Sequence, residues 1–425
     1  MTATKDNRTT ALLIGITVVA VALAVMFAWR VPFDARSGWN PDETSHLDYL
    51  RLLWENKAPV RFTAGDPAYF ETHQPPLYYL FALIPYVLTG GNVFAVRLAA
   101  VPIQVATILL AFRAGRDLFP SRPEVGLGAA AFVAFLPTQA QLSGAINNDG
   151  LTTLISVAIL WRLGLLVRGT ATDLRSSLLV GVLFGLGLYT KLTVIQLIPA
   201  MAVACLLAPT GDLSRKVRQG AVFLAVAIGV GILIAAPWLI RNTLLYGDPL
   251  NIKIFPLTAG ENTPTPTMMM PLFEALGMGG SWTDYWRINA VRTFYTFFAI
   301  MPPTGSQALT PPILGLVAVI LLSLGGLVGA FRAEKEGGVP PDERRNLLLM
   351  LVCLLFIVPF FVRFNLQFFQ AQGRYFYPAL LPVALICVTG WRNVLGERRG
   401  WLGALLPGAV LLVMCLLQWL RFGTA

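Results

Sequence analysis

Apolar runs of about 17 to 24 residues follow one another along most of this 425-residue chain. Each run is long enough to cross a hydrocarbon core of about 30 Å as a helix, and none shows the strict alternation of a β-barrel strand. The pattern predicts an all-α polytopic membrane protein that forms a single integral membrane domain over residues 1–425. We place about eleven spans, at residues 11–30, 94–113, 124–142, 149–167, 176–190, 192–208, 219–239, 308–331, 346–363, 375–391 and 400–420.

Two long hydrophilic stretches interrupt the runs, and we assign both to the same side of the membrane. The first covers residues 31–93 and includes a short apolar stretch, rich in proline and aromatic residues, at 76–89. The second covers residues 240–307 and ends in a similar stretch at 292–304. We interpret both short stretches as interfacial or re-entrant helices. Counting 76–89 as a full span would invert every segment after it.

The distribution of charge supports this topology. Only 13% of the residues are charged, against about 25% in soluble domains, which excludes a soluble globular enzyme and a disordered chain. Most of the net charge of +10 falls on the side that holds the N-terminus. The positive-inside rule makes that side cytoplasmic. We therefore expect a plasma-membrane protein with both long loops extracytoplasmic, and no nucleic-acid partner.

Unusual polar segments all fall on the predicted outer side, whereas the inner loops are short and basic. These segments are WNPDETSHLDY (39–49), ETHQPPLYY (71–79), NNDG (147–150), YTKLT (189–193), PWLIRNTLLYGDPL (237–250) and QAQGRYFYP (370–378). The chemistry is therefore expected on the outer face. The four cysteines lie inside apolar runs and indicate neither a disulfide framework nor a metal cluster.

An acidic pair, Asp42 and Glu43, follows the first span directly, with His46 four residues after Asp42. Neighbouring carboxylates at a membrane surface can hold one ionised base, so the pair is a candidate catalytic site. The alternative is a helix N-terminus that favours acids in its first turn. If residues 42–55 are helical, Leu47, Leu50, Leu53 and Trp54 would form an apolar stripe lying on the bilayer.

Both histidines of the chain, His46 and His73, lie in this loop beside Asp42, Glu43 and Glu71. These side chains could hold a divalent metal, although no compact ligand motif such as HExxH is present and hydrogen-bonding histidines are the simpler account. No motif calls for a cofactor. Gln74 and Tyr78 follow His73 in the same loop.

Three cations, Lys191, Arg241 and Arg374, lie in or at the outer ends of spans, with Arg97 inside the outer half of another. Several cations that converge on one cavity would suit a phosphate, although each alone could be an anchor whose charged end reaches the interface. Asp149 could be a helix cap. Tyr375 could belong to an aromatic belt or to a sugar platform.

These motifs, in this order, resemble the GT-C superfamily of integral membrane glycosyltransferases, and more narrowly the bacterial members of glycosyltransferase family 39. The resemblance is carried by the acidic pair after the first span, QPPLYY, NDx before a span, TKLT, WxxRNxxxYGDP and QxRYFxP. It covers residues from about 11 to 391. Many relatives carry a soluble outer domain for the acceptor after the last span, whereas this sequence stops there.

The resemblance implies a monosaccharide transferred from a polyprenyl-phosphate donor to an acceptor hydroxyl, with inversion at the anomeric carbon. Asp42, with Glu43 beside it, would supply the catalytic carboxylate. Lys191 and Arg374, and less securely Arg241, would hold the donor phosphate. The donor and acceptor cavity would include His46, His73, Gln74, Tyr78, Asp149 and Tyr375. The sugar, and whether the acceptor is a glycan, a lipid or a protein, stay open.

Three other functions remain open at this stage. A transporter or flippase of lipid-linked sugars would place binding charges near the bilayer midplane, often with internal repeats, whereas here the charges cluster at one face and no repeat is visible. A polysaccharide polymerase or ligase would also use an outer loop and lipid-linked donors. For a non-enzymatic assembly subunit, substitution of Asp42 would affect stability only.

Overall fold

The structure is a computed structural model that describes residues 2–33, 40, 42–209, 211–254, 256–257, 263–299, 313–335 and 339–421. All regular structure in these residues is helical. The α-helices are α1 Thr2–Arg30, α2 Glu43–Asn56, α3 Leu77–Leu88, α4 Val93–Arg97, α5 Ala100–Leu118, α6 Glu124–Phe135, α7 Pro137–Leu142, α8 Asp149–Val167, α9 Leu174–Leu188, α10 Ile198–Leu207, α11 Leu213–Tyr246, α12 Pro266–Ala275, α13 Trp282–Phe298, α14 Ile313–Lys335, α15 Pro341–Asn365, α16 Leu380–Leu395 and α17 Gly400–Arg421. Three longer 3₁₀ turns are Pro67–His73, Leu192–Leu197 and Gly373–Ala379.

Seven of the described helical segments are long and apolar enough to cross a membrane. They are Asn7–Arg30, Val93–Leu118, Asp149–Val167, Leu213–Tyr246, Pro341–Asn365, Gly373–Leu395 and Glu397–Leu420. The other four predicted spans coincide with shorter apolar helices at Glu124–Phe135, Leu174–Leu188, Leu192–Leu207 and Val317–Gly329. The chain is thus a multi-pass membrane protein, while the count of eleven spans stays a prediction. Residues 300–312, which include parts of two predicted segments, lie outside the described residues.

The main core lies where α6 is enclosed by its neighbours. Every residue of α6 is buried, because α1, α5, α16 and α17 all pack against it. Its sequence, EVGLGAAAFVAF, consists mostly of small side chains, which let neighbouring helix axes approach closely. Helices α9 and α11 form a second close pair, and side-chain caps from Asp173 and Asp212 begin them.

The described part of the first long loop contributes to a second, small core, which also includes Val96, Ala99, Ile103 and Ile146. Tyr49, Leu50 and Leu53 of α2 are buried against Tyr78 and Tyr79 of α3. The expected helix over 42–55 is observed at Glu43–Asn56. The expectation that Leu50 and Leu53 lie on the bilayer is wrong, because the tyrosines of the PPLYY segment cover them. The loop is therefore a folded layer above the helical bundle.

A buried ion pair between Glu43 and Arg97 attaches this layer to α1. Arg97 Nε and Nη2 donate to the two carboxylate oxygens of Glu43 at 2.8 and 2.6 Å. Arg97 Nη1 also donates to the carbonyl oxygens of Ala28 and Val31 at 2.8 Å each. The carbonyls at the end of α1, which have no partner inside the helix, are satisfied in this way. Both side chains are 4% exposed.

We expect Arg97→Gln to lower the free energy of unfolding by about 3–5 kcal/mol, because it leaves the Glu43 charge buried without a partner. Arg51→Gln is the matched control, since Arg51 also pairs with an acid on α2 but is 43% exposed, and exposed pairs contribute below about 1 kcal/mol. Thermal or denaturant unfolding of the purified protein measures both. Equal losses in the two variants would contradict the structural role of Arg97.

Candidate active site

Four charged side chains from distant parts of the chain meet beside the first loop. Arg374 Nη2 donates to Asp42 Oδ2 at 2.9 Å, and its Nη1 donates to Asp149 Oδ2 at 3.2 Å. Lys191 Nζ donates to the other oxygen of Asp149 at 2.5 Å. Arg374 therefore bridges two carboxylates, one of which it shares with Lys191. We call Asp42, Asp149, Lys191 and Arg374 the charge cluster.

Asp42 enters the cluster through an unusual backbone conformation. It precedes α2 with φ 62° and ψ 9°, in the left-handed region, which Asp and Asn adopt more readily than most residues. Its side chain does not cap α2. Of the acidic pair, Glu43 lies in the first turn of α2 as the alternative expected, whereas the carboxylate of Asp42 is directed to Arg374.

Asp149 and Lys191 are placed by the ends of two neighbouring helices. Asp149 is the first residue of α8, after Asn148 at the cap position, and its backbone N–H donates to Asn147 Oδ1 at 3.0 Å. Lys191 follows α9 in an extended conformation and precedes the 3₁₀ turn Leu192–Leu197. Because α8 packs against α9, the start of α8 lies beside the end of α9, and the two charges meet there.

Arg374 is placed by Gly373, which lies against the backbone of α13. The Gly373 N–H donates to Thr296 Oγ1 at 2.9 Å. A Cβ on Gly373 would lie 2.1 Å from the backbone nitrogen of Phe297, so only glycine fits. The guanidinium is further held by Gln372, which accepts a hydrogen bond from its Nε at 2.6 Å, and lies 5.5 Å from the centre of the Tyr375 ring.

The accessibility of the cluster is uneven. The side chains of Arg374 and Asp149 are 7% and 9% exposed, whereas that of Asp42 is 38% exposed. Burial opposes the ionisation of Asp42, but the charge and hydrogen bond of Arg374 outweigh it and hold the pKa of this carboxyl below its usual value. The cluster thus presents one accessible, ionised carboxylate against a buried arginine, with a half-buried lysine behind it.

A further carboxyl group, that of Glu71, lies beside the cluster and, unlike that of Asp42, is protonated at neutral pH. Its Oε2 is 3.8 Å from His46 Nδ1 and has no hydrogen-bond partner among the described residues. Burial, and then the negative charge of Asp42, raise the pKa of Glu71 to about 8. Burial also lowers the pKa of His46 to about 3. At neutral pH both side chains are therefore uncharged.

The remaining predicted cavity residues act mainly as supports of the first loop. His46 Nδ1 forms a hydrogen bond of 2.7 Å with the Tyr79 hydroxyl, and His73 Nδ1 donates to the Phe70 carbonyl at 2.7 Å. The fully buried hydroxyl of Tyr78 accepts from the Asn147 N–H at 3.0 Å. Gln74 and Tyr375 do lie close to the cluster. Gln74 accepts from Asn148 at 3.4 Å, and Tyr375 stacks near Arg374.

Arg241 lies apart from the charge cluster. Its Nη2 donates to the carbonyl oxygens of Pro59 and Val60 at 3.1 and 2.7 Å. The nearby Tyr246 hydroxyl accepts from the Phe62 N–H at 2.9 Å. Arg241 and Tyr246 of the RNxxxYGDP segment thus hold the first loop by hydrogen bonds to its backbone. Because the Arg241 guanidinium is used in this way, the geometry does not support it as a phosphate ligand.

The side chains proposed for a metal do not fit one. Glu43 is occupied by Arg97, and the Nδ1 atoms of His46 and His73 are occupied by Tyr79 and Phe70. Within the described part of the chain, no group of three or more His, Cys, Asp or Glu side chains is placed to hold a metal ion. No chemical step is therefore assigned to a metal here.

Two residues that contact the site were not singled out from the sequence. Gln372 holds the Arg374 guanidinium, and Tyr79 holds His46. Both lie inside the QAQGRYFYP and ETHQPPLYY segments, so the motifs were visible although the individual roles were not. Neither Gln372 nor Tyr79 is charged, so neither stands out in a search for charged residues on the outer side.

Comparison with known proteins supports the resemblance stated from the motifs. Residues 73–240 match the model of the dolichyl-phosphate-mannose-protein mannosyltransferase family. The chain is 27% identical over 224 residues to an undecaprenyl phosphate-alpha-4-amino-4-deoxy-L-arabinose arabinosyl transferase of Pectobacterium carotovorum, covering 52% of this chain and 39% of the relative. It is 23% identical over 412 residues to the protein of the same name in Yersinia pestis, covering 90% and 72%. The chain thus spans about two fifths of the length of the Pectobacterium relative.

A solved structure shows the fold. The oligosaccharyltransferase of Archaeoglobus fulgidus, solved in complex with Zn and sulfate, aligns with a TM-score of 0.55 at 17% identity. The alignment covers 95% of this chain and 53% of that protein. The all-α membrane architecture predicted from the sequence is therefore confirmed, and it is shared with that protein.

We expect Gly373→Ala to displace Arg374 from the charge cluster and to lower the free energy of unfolding by about 1–3 kcal/mol, as overpacking does. Gly229→Ala in α11 is the matched control, because a Cβ there meets no atom within 4 Å. Thermal unfolding measures the difference. A Gly373→Ala protein as stable as the control would contradict the close approach.

We expect the stability of the protein to fall as pH rises from about 6.5 to 8, because the folded state keeps a proton on Glu71 that the unfolded chain has released. The slope should be on the order of 1 kcal/mol per pH unit. Below pH 6.5 the lowered pKa values of His46 and His73 make the stability rise with pH instead. The range from pH 6.5 to 8 therefore reports mainly on Glu71.

The measurement is the unfolding midpoint against pH for the wild type, Glu71→Gln and the control Glu55→Gln. Glu55 lies on α2 with a side chain 53% exposed. The decline should disappear in Glu71→Gln and persist in Glu55→Gln. Parallel curves for all three proteins would show that Glu71 is already ionised at neutral pH.

Proposed function

We propose that this protein is a membrane glycosyltransferase that moves a monosaccharide from a polyprenyl-phosphate donor to an acceptor hydroxyl, with inversion. The observation that supports this most directly is the charge cluster, in which an accessible carboxylate pairs with a buried arginine and a lysine lies on the far side of that arginine's second partner. A carboxylate can accept the hydroxyl proton, and a lysine and an arginine can hold a phosphate. The relatives named as undecaprenyl-phosphate-dependent transferases agree with this assignment.

Asp42 is the proposed base, and Glu43 is assigned a structural role. The two acids are adjacent in the sequence, yet Glu43 is fully engaged by Arg97 and by the Ile146 N–H at 2.9 Å. Of the two, Asp42 is the exposed one, and Arg374 holds the pKa of its carboxyl below the usual value. An ionised and accessible carboxylate can reach an acceptor that arrives from outside.

Lys191 and Arg374 are the proposed ligands of the donor phosphate, with Asp149 orienting both. In the transfer step the bond between the anomeric carbon and the phosphate oxygen breaks, and a bond to the acceptor oxygen forms on the opposite face. The acceptor proton moves to Asp42, and the electron pair of the broken bond stays on the polyprenyl phosphate. The two cations offset the charge that develops there.

The proposed orientation places the cluster on the extracytoplasmic face of the plasma membrane, with the N-terminus in the cytoplasm. The charge distribution of the loops supports it. Residues 31–93 and 240–307 would then form the outer loops that surround the site. The acceptor could be a glycan, a lipid or a protein.

A transporter is the second candidate, and the position of the charges disfavours it. Asp149 and Lys191 lie at helix ends, whereas transporters bind near the bilayer midplane. An assay of the purified protein in detergent with a panel of polyprenyl-phosphate sugars distinguishes the two functions. An enzyme consumes the donor under these conditions, whereas a transporter leaves it unchanged because there are no two compartments to move it between.

We expect Asp42→Asn to reduce transfer in this assay by about 10²- to 10⁴-fold, the range for loss of a general base. Asn also tolerates the left-handed backbone, so folding should persist. The matched control is Asp48→Asn on α2, whose side chain is 39% exposed against 38% for Asp42. Transfer by Asp42→Asn at the rate of Asp48→Asn would rule out Asp42 as the base.

A further inference from the structure

A groove opens between the ends of α1 and α17, separate from the charge cluster. Its lining consists of Val25, Met26, Trp29 and Arg30 of α1 and Trp419 of α17, and its volume is about 580 Å³. Both helices pack against α6 and α7, which keeps them together at their bases. Val25, Trp29 and Arg30 are exposed, so the groove is open to the surroundings of the protein.

Arg30 gives this groove a positive charge. It is exposed, and its guanidinium carbon lies 4.6 Å from the centre of the Trp419 ring. Among the described residues, no acidic side chain pairs with Arg30, whereas Arg97 and Arg374 both bind carboxylates. An arginine without a carboxylate at a membrane surface is suited to a phosphate, which it can bind through two parallel hydrogen bonds.

The other lining residues match the remainder of a lipid molecule. Trp29 is 78% exposed, and an indole ring with one polar and one apolar edge favours the headgroup level of a bilayer. Val25 lies five residues before Arg30, about 7.5 Å deeper along the helix axis. The wall formed by Val25 and Met26 therefore continues from the charge into the apolar region.

We propose that this groove binds one anionic phospholipid of the surrounding membrane, with its phosphate on Arg30 and an acyl chain along Val25 and Met26. The bound lipid bridges the first helix, which leads into the loop that carries Asp42, to the last described helix. The site is independent of the proposed transfer reaction, because none of its lining residues belongs to the charge cluster.

The test is titration of the full-length protein in detergent with phosphatidylglycerol, followed by native mass spectrometry and by the unfolding midpoint. We expect one lipid to stay bound during collisional activation in the mass spectrometer and to raise the unfolding midpoint of the protein. The affinity for phosphatidylglycerol should be at least tenfold weaker in Arg30→Gln. Arg363→Gln is the matched control, since Arg363 is exposed in the last turn of α15 but does not line the groove. Val25→Trp, which fills the groove without touching the charge, should also weaken binding.

Three results would overturn the proposal. Equal loss of affinity in Arg30→Gln and Arg363→Gln would show that Arg30 is an ordinary interface anchor. Equal affinity for phosphatidylcholine would show that the charge does not select the lipid. Displacement of phosphatidylglycerol by undecaprenyl phosphate at lower concentration would assign the groove to the polyprenyl chain. If Arg30→Gln does not fold, unchanged binding in Val25→Trp alone refutes the site.

Discussion

The bridge that Arg374 makes between Asp42 and Asp149 is the interaction on which the site depends. Its three residues come from a loop, a helix start and a 3₁₀ turn, and Arg374 is 225 residues from Asp149 and 332 residues from Asp42 along the chain. Charges taken out of water are tolerated only when they are paired and hydrogen-bonded. The bridge therefore requires that the first loop, α8 and the turn after α15 hold one relative position.

The carboxyl groups around this bridge show how environment separates residues of similar chemistry. Glu43 is buried and permanently neutralised by Arg97. Glu71 is buried without a cation in contact, and its raised pKa keeps it protonated at neutral pH. Asp42 alone is ionised and accessible. One accessible negative charge, paired with Arg374, is obtained from several acids because the others are buried with a partner or with a proton.

Much of the fold could be predicted from the sequence, because hydrophobic run length is a local property of the chain. The gathering of Asp42, Asp149, Lys191 and Arg374 at one face also followed from topology. The partners of individual cations could not be predicted, since helix packing decides them. Arg97 meets an acid 54 residues away, and Arg241 meets carbonyls 181 and 182 residues away. Leu50 and Leu53 look equally suited to lipid or to protein until the tyrosines that cover them are located.

If Asp42 is the base and Arg374 holds the donor phosphate, as proposed, the shared use of Arg374 imposes an order on the steps of the reaction. At rest its guanidinium is the counter-ion of Asp42, and a carboxylate held in this way is a poor base. A donor phosphate that draws hydrogen bonds from the same guanidinium weakens that hold and makes Asp42 more basic. The carboxylate thus becomes competent to take a proton only when there is a sugar to transfer, so an acceptor that arrives first meets a masked base.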